Sequence, residues 1–100
     1  MTIEYLTVLN VTDDNLYQEY RAAMTPILEK YGGGFGYDLK ISKTLKSEVE
    51  TPINRVFTMY IESDEASEAF FNDEEYLKVR SKYYERSVSF LTVVSKYDKC

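Results

Sequence analysis

The sequence predicts an α+β sandwich in the order β-α-β-β-α-β, with two helices on one face of a four-stranded antiparallel sheet. Three observations carry that expectation. Segments rich in β-branched and aromatic side chains alternate with stretches whose apolar residues recur every three or four positions. All four glycines fall between residues 32 and 36, where one helical stretch gives way to a strand. A chain of 100 residues holds one domain with one core.

Residues 2–10, TIEYLTVLN, make the first strand and end at the turn-like Thr12-Asp13-Asp14-Asn15. Asp13 is placed to cap a first helix over 14–31, because Leu16, Tyr20, Ala23, Ile27 and Tyr31 fall on one helical face. Pro26 removes a backbone donor inside that helix, which predicts a kink or a restart near Met24-Thr25. The stretch YGGGFGY, residues 31–37, then raises the question of a phosphate cradle. A dinucleotide-binding loop puts its glycines after a strand and before a helix, where free N–H groups and the positive dipole end receive the anion. Here the order is reversed, so the glycines read as a joint. Gly32 or Gly33 supplies a left-handed helix stop, while Gly34 and Gly36 let backbone or a partner pass close.

Phe35, Tyr37, Leu39 and Ile41 alternate with Gly36, Asp38, Lys40 and Ser42, as in a half-buried second strand. Residues 43–52, KTLKSEVETP, are a polar loop, and 53–61, INRVFTMYI, are apolar enough for a third strand covered on both faces. Ser63 or Asp64 caps a second helix over 64–86, broken near Asn72, which with Glu75 resembles a capping box. Tyr76, Arg80 and Tyr83 share one stripe of that helix, broadened by Leu77 and Tyr84. Residues 87–97, SVSFLTVVSKY, complete the sheet as a fourth strand.

Two right-handed βαβ crossovers in this order define a ferredoxin-like domain. The helices cover one sheet face. Strands three and four offer apolar side chains in both directions, so the other face needs a cover, which a second copy packed sheet to sheet would supply. A homodimer is therefore expected.

Composition narrows the chemistry. A formal net charge of −5 disfavours nucleic acid, whose affinity depends on Lys and Arg displacing counterions. No apolar run approaches the roughly 20 residues that span a bilayer, and Met1-Thr2-Ile3-Glu4 lacks a basic region followed by an apolar one, so a cytoplasmic protein is expected. The single cysteine, Cys100, permits no internal disulfide and has no adjacent base. With no histidine, Ser-His and Cys-His catalysis, His-ligated zinc and a proximal-His haem are excluded. Acid–base work would fall to carboxylates, lysines or tyrosines. Asp73-Glu74-Glu75 are consecutive rather than alternating around a glycine, and read as first-turn helix residues instead of a metal loop. Nothing buries Lys40, Lys43 or Lys46 as a Schiff-base lysine would require. No metal or cofactor is expected. Arg55 interrupts an apolar strand and needs a carboxylate partner, either as a structural ion pair or as a ligand-gripping group at a pocket mouth.

Thr12-Asp13 followed by Tyr17 and Tyr20, then Tyr31-Gly32-Gly33 with Phe35, and Asn72 to Tyr76 ahead of a basic helix occur in an order and spacing that resemble one family over nearly the whole chain. That family is the uncharacterised domain of unknown function 1330, and the resemblance implies the dimeric α/β-barrel version of the ferredoxin-like fold. The chain departs from the family's pattern at charged positions. It has Gly34 and Asp38 where the family usually carries Arg and another charged group, Tyr60-Ile61-Glu62 in place of Glu-Phe-Pro, and Tyr83 where an Arg often stands. If these positions line one cavity, its charges change from Arg with Glu to Asp38 with tyrosines, which favours a cationic or neutral aromatic ligand.

The expected ligand-binding residues are therefore Asp38, Arg55, Tyr60 and Tyr83. The leading expectation for function is a small homodimer whose paired sheets enclose a cavity for a small organic molecule. Its rival is a cofactor-free enzyme of the monooxygenase, isomerase or dehydratase type found in the wider dimeric barrel group. It would act on an aromatic or polyketide-like substrate, with Tyr60, Asp38 or Tyr83 handling protons. A filled barrel with a structural or interaction role is the third. A cavity of roughly 300 Å³ separates the first two from the last.

Overall fold

A computed structural model describes residues 2–99, so the expectations about Cys100 lie outside the described residues. In chain order the elements are β1 (Thr2–Val11), α1 (Asp14–Lys30), β2 (Gly34–Lys40), β3 (Arg55–Ile61), α2 (Asp64–Phe71), α3 (Glu74–Val79), a wide helical turn at Arg80–Tyr84, α4 (Glu85–Ser87) and β4 (Val88–Lys99). The strands form one sheet in the order β2-β3-β1-β4, antiparallel at every pairing. Each βαβ unit thus spans one intervening central strand, as the ferredoxin-like topology requires.

The strand period of two divides the sheet into two chemical faces. Ile3, Tyr5, Thr7 and Leu9 of β1 pair with Ile61, Met59, Phe57 and Arg55 of β3, and these side chains face the helices. Glu4, Leu6 and Val8 pair with Tyr60, Thr58 and Val56 on the opposite face. The core lies between sheet and helices, where Leu9, Leu28, Ile61 and Phe70 are fully buried.

The ends of α1 follow local chemistry. The Asp13 carboxylate accepts from the Leu16 N–H at 3.0 Å. At the other end Gly32, at φ +74°, donates to Glu29 O and Gly33 donates to Leu28 O, a Schellman stop. Contrary to the expected restart, α1 runs unbroken through Pro26. The carbonyl that loses its donor belongs to Ala22, which is exposed like Pro26 itself, so water can satisfy it.

The second helical region does break after Asn72, but the cap falls one residue later than the capping box placed it. Asn72 turns its amide back to donate to Glu68 O at 2.9 Å, closing α2. The Asp73 carboxylate takes over, accepting from the N–H groups of Glu75 and Tyr76 at 2.8 and 3.1 Å. A hydrogen bond of 2.6 Å from the Tyr31 hydroxyl to the same carboxylate ties this joint to the end of α1.

β2 departs most from its sequence pattern. It is an edge strand exposed from Gly36 onward rather than half-buried, and its pairing with β3 slips between Phe35 and Asp38. The slip is a bulge: Tyr37 N–H donates to Thr58 Oγ1 at 2.8 Å instead of to a strand carbonyl. Gly36 permits it, since a Cβ there would sit 2.7 Å from that same Oγ1. The bulge breaks the alternation, so Phe35 and Asp38 both oppose helix-facing residues, Met59 and Phe57.

Candidate ligand-binding cavity

Between the helix-facing side of the sheet and the helices lies a cavity of about 310 Å³. The sheet supplies Tyr5, Thr7, Phe57 and Met59, and α1 supplies Tyr17, Tyr20, Arg21 and Met24. The segment from α2 to the wide turn adds Ser67, Phe71, Tyr76, Arg80 and Tyr84, and Leu91 and Val93 of β4 complete the wall with Phe35. Phe71, Arg80, Leu91 and Val93 are exposed and mark its mouth, between the second helical region and β4. The space is thus inside one chain, on the face covered by helices.

Hydroxyls punctuate an otherwise apolar wall. The phenols of Tyr20 and Tyr76 bond each other at 2.9 Å, Tyr5 bonds Ser67 Oγ at 2.9 Å, and Arg21 Nη1 donates to the Tyr17 hydroxyl at 3.0 Å. Burial pushes the phenols of Tyr17, Tyr20, Tyr76 and Tyr84 above the ordinary tyrosine value, with the charge on Arg80 partly offsetting this at Tyr76 and Tyr84. All four are neutral at physiological pH, so each keeps its hydroxyl proton. Among the described residues the lining holds no carboxylate or lysine side chain.

Arg21 forms one end of the wall. Its guanidinium lies 3.6 Å from the Phe35 ring centroid and pairs with Asp38 at 2.9 Å. The β2 bulge makes this pair, because it turns Asp38 to the side of the sheet that carries α1.

The four residues expected to bind ligand are not brought together. Asp38 lies outside the cavity as the partner of Arg21. Arg55, 8% exposed, pairs with Asp14, the carboxylate partner that a charge within an apolar strand needs, and lies 5.3 Å from the Tyr17 ring. It floors a separate recess of about 280 Å³ beside Asp14, Lys40 and Asn54. Tyr60 is on the opposite sheet face, over Gly34, where an added Cβ would meet its hydroxyl at 2.5 Å. Tyr83 is half-buried at the edge of the core, with Lys82 Nζ 5.2 Å from its ring.

The wide turn explains why Tyr84 and not Tyr83 reaches the cavity. Glu85 N–H bonds Arg80 O, five residues back, and the extra residue brings Tyr84 into line with Tyr76 and Arg80. Arg21 was hidden from sequence reading because its role depends on the bulge. The signal for Tyr76, Arg80 and Tyr84 was their spacing of four, which the period of a regular helix assigned to Tyr83 as well.

Together, the sheet order and the enclosed space under the helices define a ferredoxin-like α+β domain with an internal cavity. The chain belongs to the family described as a domain of unknown function (DUF1330), whose model matches residues 5–97. Among solved structures it is similar to a protein of unknown function from Rhodopseudomonas palustris, with a TM-score of 0.83 and 16% identity over 99% of this chain and 82% of that one. It is also similar to a dabb family protein with a ferredoxin-like fold from Mesorhizobium loti (TM-score 0.62, 10% identity, 99% and 97% covered). A third is SnoaB, a cofactor-independent oxygenase from Streptomyces nogalater (TM-score 0.63, 8% identity, 99% and 93% covered). No curated protein matches the chain. Identities this low establish a shared fold. Among the described residues no helix is long and apolar enough to cross a membrane.

Proposed function

We propose that this protein is a homodimer in which each protomer binds a small aromatic molecule in the cavity beneath its helices. The observation that carries the reading is the cavity's chemistry. A volume of about 310 Å³ fits a compact organic ligand, and its wall combines Phe, Met and Tyr side chains with a few phenol donors. Stacking surfaces and thioethers suit planar rings, and neutral phenols suit their oxygen substituents.

Dimerisation is argued from the other sheet face. There Leu6, Val8 and Val56 lie beside Leu39, which is 53% exposed, with no helix above them. A self-complementary pairing about a twofold axis would cover this surface.

Thermal denaturation with 2-naphthol as probe tests the ligand reading. The expected result is a saturable rise in Tm that is lost in Met24→Trp, which fills the cavity; no rise up to the solubility limit overturns it. Light scattering tests the dimer. A two-chain mass that falls to one chain in Val56→Lys supports it, and a one-chain mass for the unsubstituted protein at micromolar concentration removes it.

Catalysis is the second reading, favoured by the fold shared with a cofactor-independent oxygenase. Against it stands the lining, which among the described residues offers neutral phenols and no carboxylate base to ionise a substrate. Oxygen uptake that depends on both protein and an oxidisable polyphenol would establish the enzyme; its absence with a polyphenol that binds favours the binding module.

A further inference from the structure

The two arginines of the cavity differ in what they already hold. Arg21 is engaged on every side: it donates to Tyr17, pairs with Asp38 and stacks on Phe35. Arg80, at the mouth, has no ion pair among the described residues; its nearest aromatic contact is the Tyr84 ring, 5.6 Å from the guanidinium carbon. It is nonetheless close enough to favour ionisation of the Tyr76 and Tyr84 phenols, so its field reaches into the cavity. Among the described residues no acidic side chain lines the wall to oppose an incoming anion. The chain's net charge of −5 does not decide the matter, because charges beyond a Debye length of about 8 Å are screened at physiological salt.

We propose that Arg80 makes this a site for aromatic anions: a planar ring enters between Met24, Met59 and the Tyr20–Tyr76 pair, and its carboxylate or acidic phenolate pairs with Arg80 at the mouth. This rests on the ligand-binding reading above and specifies its charge. It reverses the cationic or neutral preference inferred from Asp38, since that carboxylate is outside the cavity and neutralised by Arg21. Arg suits the task because its planar fork can take both oxygens of a carboxylate while its face rests on Tyr84.

Binding of 2-naphthoate, 2-naphthalenemethanol and 2-naphthylmethylammonium, measured by calorimetry at low and moderate salt, tests the assignment. The naphthoate is expected to bind about tenfold more tightly than the alcohol, the effect of one charge-assisted hydrogen bond, with the ammonium weakest. Arg80→Gln should remove the naphthoate's advantage over the alcohol and its salt dependence. Arg86→Gln, on an exposed residue outside the lining, should alter neither. Equal affinities for naphthoate and alcohol, or a naphthoate preference that survives Arg80→Gln, overturn the anion assignment and leave cavity binding standing. If none of the three binds, both readings fall.

Discussion

The hydroxyls of Tyr20 and Tyr76 meet at 2.9 Å, joining α1 to α3 inside a mainly apolar cavity wall. Both rings are almost fully buried, and among the described residues no buried side-chain polar atom lacks a partner. Their bond is therefore the means by which two phenols are tolerated there. Removing one hydroxyl strands the other, so Tyr20→Phe is expected to lower stability by about 1–2 kcal/mol. The double change Tyr20→Phe with Tyr76→Phe should cost less than the sum of the two single changes, because it strands no group. Urea unfolding of the four proteins checks this, and strict additivity would refute it.

Acid should destabilise the fold through two carboxylates. The Tyr97 hydroxyl, with Lys99, holds Glu4 below the usual carboxylate range, and the Tyr31 hydroxyl, with backbone N–H groups, does the same for Asp73. A depressed folded-state value means that the stabilisation is complete above the unfolded values near 4 and fades as pH falls through the folded ones. Tm should thus drop more steeply below about pH 4.5 in the unsubstituted protein than in a Glu4→Gln, Asp73→Asn variant. Identical slopes would show that neither carboxylate is responsible.

Arg55 and Asp14 should respond unequally to substitution. Arg55 is 8% exposed, while the Asp14 side chain keeps 43% of its surface in water. Asp14→Ala leaves a guanidinium charge under cover and is expected to cost about 2 kcal/mol. Arg55→Met removes the charge, keeps most of the volume over Tyr17, and should cost less. The reverse order in chemical denaturation would mean that Arg55 reaches solvent once freed.

The helix-to-strand joint gives a steric prediction. A Cβ at Gly33 would lie 2.6 Å from Leu28 Cδ1 and 2.8 Å from the backbone oxygen of Tyr60, whereas the atoms nearest to one at Gly34 belong to the Tyr60 ring, at its hydroxyl end. The backbone oxygen cannot turn aside and the ring can. Gly33→Ala should therefore be the more destabilising, by an overpacking cost of about 1–3 kcal/mol, and a smaller loss of Tm than for Gly34→Ala would contradict the geometry.

Local signals made much of this molecule legible. β-branched runs, the Asp13 cap and the glycine stop depend on residues within a few positions of one another, and each is where the sequence put it. The cap at Asp73 instead of Asn72 was a near miss of the same kind, since both side chains can accept at that corner and only their competing partners separate them. The cavity was not legible in the same way. Its lining comes from four strands and four helical segments, and the two residues that shape its charge depend on irregularities, the bulge at Gly36 for Arg21 with Asp38 and the wide turn for Arg80 with Tyr84.

By itself the sequence determined the order of elements, the ferredoxin-like class, the need of Arg55 for a carboxylate, and the removal of histidine chemistry, because periodicity and composition act on short range. Only the tertiary structure decided which sheet face holds a cavity and which tyrosines enter it. A one-residue slip reverses where a side chain points in a strand and turns it by about 100° in a helix, and the strand slip here is set by a contact, Tyr37 with Thr58, that joins segments far apart in the chain.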